Sequence, residues 1–475
     1  MTDEEYFKDE EFREMLADYE RTVQSGQLVF MDVDDLADIA DYYQFCGRHD
    51  DAQQAIDRAI ELDPGSLFAL NYRIHEALDK RDYTTAEELL SQMPDELTPE
   101  YTYSRAETWL AQGQTDKADD YLRQCLKELP SDERQDFIID VANLYSEYGD
   151  SEKSLEWMMR AHPEETDDFK ELMGRTYFGM GAYDDSEKIF KELLDKHPFQ
   201  KRYWNALANT QYMKEDYSAS VDSSEFAIAI DPEDPDALMA KANGLFRLEN
   251  YEEALKFYER YSEKVPDDEF SLLHQGCCLV YLQRYPEAEQ QLEKALQKAP
   301  KDSPYLLEIY QELAFAYGDD GKIDEAMKTL NETDNLECDY NDLLVVRGHI
   351  LLSNGFIEEG EVAFRKAIIG SKNAPLILLR VAVSIYDCHY LDSAYRLFKH
   401  LFDYVKEDFD QGYSYMALCC HSMKRYDEYL EYLKKAVSCN PDEAKATLSH
   451  LFPEDISPEQ YYEYAQKELK NVYNK

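Results

Sequence analysis

The chain repeats itself, and the period constrains the fold more than any other feature. Trp204, Leu207, Ala208, Tyr217, Ser220, Ala227 and Pro232 form a phrase that returns 34 residues later as Leu238, Ala242, Tyr251, Ala254, Tyr258 and Pro266. It returns again after a further 34 as Leu272, Gly276, Tyr285, Ala288, Leu292, Ala295 and Pro300. A period of this length marks a supersecondary unit that cannot bury its apolar face alone and must stack on its neighbours. Extended in both directions, the frame gives about twelve units. They start near Val33, Leu67, Pro99, Gln135, Asp167, Lys201, Pro235, Glu269, Leu307, Asn341, Pro375 and Asp410.

Fixed offsets carry fixed chemistry. The eighth position holds Ala40, Ile74, Ala106, Ala142, Gly174, Ala208, Ala242, Gly276, Ala314, Gly348, Ala382 and Ala417. The twentieth holds Ala52, Ala86, Ala118, Ser154, Ser186, Ser220, Ala254, Ala288, Ala326, Gly360, Ala394 and Tyr429. Side chains this small are required where two helices approach closely, since an extra methylene would force them apart. Four residues beyond the twentieth comes a bulky apolar group, among them Ile56, Phe190, Leu292 and Phe364, on the same helical face. Pro64, Pro130, Pro198, Pro232, Pro266, Pro300 and Pro441 are expected to stop the second helix of a pair. Gly47, Gly113, Gly149, Gly181, Gly321 and Gly355 fall between the two helices, where a left-handed cap is expected.

This small, small, bulky, proline pattern resembles the tetratricopeptide repeat (TPR) from about Val33 to Pro441. The whole chain resembles bacterial proteins built of many such repeats, a likeness that supplies an architecture but no specific activity. It implies an all-α, right-handed superhelical solenoid of about twelve TPR-like hairpins. Residues 1–32, with Phe12, Leu16, Tyr19 and Val23 at helical spacing, are expected to cap the first repeat. Residues 33–441 form the array, and 442–475 supply closing helices.

Charge and motifs narrow the function. The 100 Asp and Glu against 50 Lys and Arg leave a formal charge of -50, which disfavours nucleic acid and anionic membranes as partners. The acidic start lacks the basic and apolar regions of an export signal. The nine Cys occur singly or as the neighbours Cys277-Cys278 and Cys419-Cys420, never with metal-ligand spacing, so they read as buried small hydrophobes in a reducing, cytoplasmic setting. No phosphate-binding loop, HExxH or GxSxG is present, since Gly318-Asp319-Asp320-Gly321-Lys322 lacks the required spacing. His274, His349 and His421 read as structural residues or partner contacts rather than as ligands or bases. No enzyme, cofactor or metal is expected.

In the repeat family the first helix of each pair, here the A helix, lines a concave groove with positions 2, 5, 6, 9, 12 and 13. In the first five repeats these hold Asp34, Asp38, Asp41, Asp79, Glu100, Glu107, Asp136, Asp140, Glu147, Asp168 and Glu171, opposed by Arg175. Such a trough would attract and orient a basic segment. Farther along stand Asn143, Arg175, Arg202, Asn205, Asn209, Tyr212, Asn243 and Arg247. Asparagines there can grip the backbone of an extended peptide, or equally hydrogen-bond between helices. Glu171 and Met239 stand where a chaperone-tail clamp needs Lys, which argues against capture of a C-terminal carboxylate. Beyond Glu269 the same positions turn apolar: Phe270, Leu273, Val280, Tyr281, Phe315, Val345, Leu352, Leu376, Leu379, Val383 and Tyr386. They serve as core, as an interaction patch or as a self-association surface.

The expectation is therefore a non-catalytic scaffold or chaperone-like adaptor holding a peptide or protein partner with a basic segment. The alternative is a signalling regulator whose solenoid changes curvature on binding a small effector.

Overall fold

A computed structural model describes residues 7, 9–26, 31–45, 48–93, 98–161, 166–333, 336, 339–405, 409–453 and 456–473. Gly47 and the start of the N-terminal flank lie outside them. Among the described residues every regular element is a helix. The chain forms two compact bodies, Met1–Lys214 and Glu215–Lys475.

In the first body helix Glu10–Gln24 precedes five complete hairpins. These are Val33–Phe45 with His49–Leu62, Leu67–Asp79 with Tyr83–Leu90, and Pro99–Ala111 with Thr115–Glu128. Arg134–Glu147 with Ser151–Met158 and Asp167–Gly179 with Tyr183–Lys196 follow, and helix Lys201–Met213 ends the body. Phe12 and Tyr19 of the leading helix are buried, and their rings lie 5.4 Å from Tyr42 and 6.2 Å from Tyr43 of the first repeat. Val23 at the end of that helix stays exposed.

The second body opens on Tyr217–Ile230 and continues with Pro235–Arg247 and Tyr251–Lys264, then Glu269–Tyr281 and Tyr285–Lys298. Next come Leu306–Asp319 with Ile323–Glu332, Tyr340–Ser353 with Ile357–Gly370, Pro375–Asp387 with Leu391–Tyr404, and Tyr413–Ser422 with Tyr426–Cys439. Pro441–Leu448 and Tyr461–Tyr473 close it. Pro441 thus both ends one helix and starts the next, as the first residue of a helix tolerates a missing N–H. In each body an A helix packs on its own B helix, and that B helix on the following A helix, as in an all-α solenoid.

Local chemistry sets the helix starts. Thr98, Thr166, Asp234 and Asp268 accept hydrogen bonds from the backbone N–H three residues on, ahead of A helices. Asp82, Asp150 and Asp216 do the same ahead of B helices. The fourth, ninth and tenth A helices begin one residue before the sequence frame, and the twelfth begins three residues after it, at Tyr413.

The offsets explain the packing. The described eighth and twentieth positions are buried throughout, and in glycine repeats the bulky residue at position 24 fills the notch left at position 8. An added Cβ would stand 2.9 Å from Phe190 at Gly174, 2.4 Å from Leu292 at Gly276 and 2.5 Å from Phe364 at Gly348. Ser186 at position 20 donates its hydroxyl to the Gly174 carbonyl at 2.9 Å, a polar version of the same contact.

Candidate functional site

The candidate site is the A-helix face of the first body. Successive A helices are tied there by polar side chains roughly one repeat apart. His75 Nδ1 lies 3.1 Å from Glu107 Oε1, and Tyr148 donates its hydroxyl to the same oxygen at 3.2 Å. Arg175 donates to Asn143 Oδ1 at 3.4 Å, and Asn143 donates in turn to Glu147 at 2.9 Å. Arg202 reaches back to Glu171 at 3.1 Å and to Asp168 at 3.9 Å, while Tyr103 donates to Asp140 at 2.7 Å. Arg175 is therefore not alone in opposing the acids. Arg202 pairs with Glu171 across the repeat boundary, an offset of 31 that sequence reasoning passed over.

The electrostatics are those of a surplus of carboxylate. The hydrogen bond that His75 donates to Glu107 raises the His75 pKa, with Asp79 and Glu147 adding to it against the opposing effect of burial. Burial pushes Asp35 up, and the neighbouring Asp32 and Asp38 push it further. Burial also raises Glu171, although Arg202 and Arg175 pull it down. Asp34, Glu100, Asp136 and Asp140 are exposed and have no ion-pair partner among the described residues.

Three acids of the B helices are held in ion-pair networks. Asp119 is buried and takes hydrogen bonds from Arg123 at 2.6 Å, Trp157 at 2.9 Å and Lys153 at 3.1 Å. Glu156 joins the same network through Arg123, Lys153 and Arg160. Glu187 pairs with Lys191 and Lys214. Burial alone would raise its carboxyl, but these two cations hold it down to about 2. Asp116, Asp120, Glu128 and Glu152, also on B helices, are exposed without an ion-pair partner among the described residues, so open carboxylates occur on both helices of a pair.

The remaining residues fall in different settings. Asp38 is half-buried and Asp41 exposed on the first A helix. In the first body Asn205 is almost fully buried and Tyr212 half-buried, whereas Asn209 is exposed. In the second body Asn243 accepts a hydrogen bond from Tyr258 at 2.7 Å within one hairpin, and Arg247 donates to Tyr217 at 2.9 Å. Of the apolar positions there, Leu273, Val345, Leu352 and Leu379 are core, while Tyr281 and Leu376 are exposed.

No group of three or more His, Cys, Asp or Glu is placed for a metal among the described residues. His274 sits 3.0 Å from the Phe270 carbonyl and His349 2.8 Å from Ser384, and burial lowers the pKa of both. Cys277, Cys278, Cys419 and Cys420 are buried free thiols whose pKa values burial raises. No helix among the described residues is long and apolar enough to cross a membrane.

Comparison with known proteins bears on the repeats. Three family models described as tetratricopeptide repeats match residues 36–66, 103–132 and 172–223. The model described as anaphase-promoting complex, cyclosome, subunit 3 matches residues 213–295. No curated protein matches the chain. Among solved structures, yeast Tom70 is similar at 14% identity and a TM-score of 0.42, over 92% of this chain and 96% of that one. A tetratricopeptide repeat protein from Parabacteroides merdae aligns at 18% identity and a TM-score of 0.40, over 53% and 98%. MamA from Desulfovibrio magneticus aligns at 15% identity and a TM-score of 0.35, over 37% and 96%. The matched segments fall on paired helices with small residues at positions 8 and 20, and the chain is a tetratricopeptide-repeat protein.

Proposed function

We propose that the A-helix face of the first body holds a basic segment of a partner protein, so that the chain works as a scaffold or chaperone-like adaptor. Stacked repeats present extended surfaces suited to protein contacts. The observation that carries the reading is a set of open carboxylates at groove positions of the first, third and fourth A helices: Asp34, Glu100, Asp136 and Asp140 face solvent with no ion-pair partner among the described residues. A row of unneutralised carboxylates raises the local concentration of a cationic segment and orients it. Exposed Asn209, with Asn143 and Arg175 farther back, supplies donors and acceptors for its backbone.

The test is binding of a labelled basic peptide to the full chain after Asp34→Asn, Asp38→Asn and Glu100→Gln together, and separately after Asn209→Ala. The charge variant is expected to bind about tenfold more weakly, chiefly through slower association. Unchanged association would place the partner elsewhere.

A further inference from the structure

Between the second and fourth repeats the first body forms an open cleft of about 920 Å³, within the size range of ligand sites. Its two ends differ in chemistry. At one end Arg105 is paired with Glu87 and lies 5.3 Å from the centre of the Trp109 ring, and Lys117 Nζ stands 4.3 Å over the same ring. That end is already filled with cations. At the other end the rings of Tyr103 and Phe137 stack with centroids 5.7 Å apart and planes 24° from parallel. Leu129 extends the apolar wall, and Glu133, Asp136 and Asp140 surround it, all three exposed and without an ion-pair partner among the described residues. The Tyr103 hydroxyl, bonded to Asp140 at 2.7 Å, holds the ring against the carboxylate.

We propose that this slot takes an arginine side chain from the basic partner segment. The alkyl stem lies along Tyr103 and Phe137, and the guanidinium reaches Asp136 and Asp140. A planar, weakly hydrated cation stacks on aromatic faces and bonds carboxylates in a fork, which an ammonium does not do. An apolar slot with an anionic mouth matches a long basic side chain along its whole length. The inference rests on the reading of the A-helix face given above, and it adds one anchor and one residue type.

The test uses the full chain and a fluorescein-labelled alternating Arg-Ala peptide, with Lys-Ala and Glu-Ala peptides as comparisons, read by anisotropy. Asp136→Asn with Asp140→Asn is expected to weaken Arg-Ala binding about tenfold. Tyr103→Leu, which keeps apolar volume and removes the ring, is expected to abolish a preference for Arg-Ala over Lys-Ala of about threefold or more. Should Tyr103→Leu disturb folding, the two exposed carboxylates carry the test alone. Full Arg-Ala affinity in the Asn pair, alongside weakened binding in the Asp34, Asp38 and Glu100 variant, overturns the slot and leaves the face intact. Full affinity in both overturns the face as well, and preferential binding of Glu-Ala overturns both readings outright.

Discussion

Replacing Gly276 by alanine places a methyl group where the eighth residue of this repeat must have none. The new Cβ would stand 2.4 Å from Leu292 Cγ and 2.5 Å from its Cδ2. Carbon atoms prefer about 3.5–4.0 Å, so the overlap is about 1 Å at a branch point rather than at a flexible tip. Leu292 is fully buried and has no space to retreat into. Overpacking of this kind costs about 2–3 kcal/mol, against about 1 kcal/mol that alanine gains over glycine inside a helix. The net loss is about 1–2 kcal/mol. Leu292→Ala alone costs about 2–5 kcal/mol through the cavity it leaves. The double variant removes the clash, so it should be less destabilised than the sum of the two singles by about 2 kcal/mol. Stacked repeats need not unfold in one step, so the readout is amide hydrogen exchange of helices Glu269–Tyr281 and Tyr285–Lys298 in the full chain. Strictly additive variants, or a stabilised Gly276→Ala, would refute the notch-and-knob account of repeat packing.

Asp119→Asn should destabilise the first body by about 2–4 kcal/mol at pH 7, because Trp157 and two cations lose a buried carboxylate. Burial raises this group, but the hydrogen bonds outweigh it and its folded pKa lies below the ordinary value. The contribution is therefore present above the unfolded pKa and disappears as pH falls through the folded one. Urea melts in which wild type and variant differ equally at pH 7 and pH 3 would contradict this. His75 should titrate above about 6.5, and Glu107→Gln should bring it down, as followed by NMR of its imidazole. The His75–Glu107 pair favours folding below that ordinary value, and the benefit is lost as pH rises through the raised one. A titration indifferent to Glu107 contradicts the arrangement.

The repeat was legible because packing writes itself into residue size at fixed offsets. Gly174, Gly276 and Gly348 are small for the same reason, and Phe190, Leu292 and Phe364 are large for the complementary one. The interhelix turn was only half legible. Gly113, Gly149, Gly181, Gly321 and Gly355 all take positive φ as their identity implies, but Arg81, Glu215, Glu249, Gln283, His389 and Lys424 fill the same slot with φ of 56–66°. An L residue bears that conformation at a cost of about 1–2 kcal/mol, and flanking hydrogen bonds such as Arg284 N–H to the Leu279 carbonyl hold it in place. Identity alone does not reveal a conformation imposed by the two helices.

The twelfth repeat keeps its frame, but its A helix starts late, at Tyr413, for a related reason. Its A helix starts after Gly412, whose N–H donates to Glu443, 31 residues away on the closing helix. A cap supplied from so far along the chain leaves no local signal. The acids of the candidate site were legible by position, but their pairing was not. Whether a carboxylate meets Arg202 or only water depends on side-chain reach between neighbouring helices. Asn243 is a similar case, since the same amide serves a peptide or Tyr258.

The central claim is that the first body presents an open row of carboxylates to a basic partner. It is tested most directly by stopped-flow association of matched basic, neutral and acidic peptides with the full chain as salt is raised. The account predicts that the basic peptide alone associates quickly, and that its rate falls steeply as the screening length contracts below about 10 Å. Equal rates for the three peptides, or a rate for the basic one that ignores salt, would contradict it.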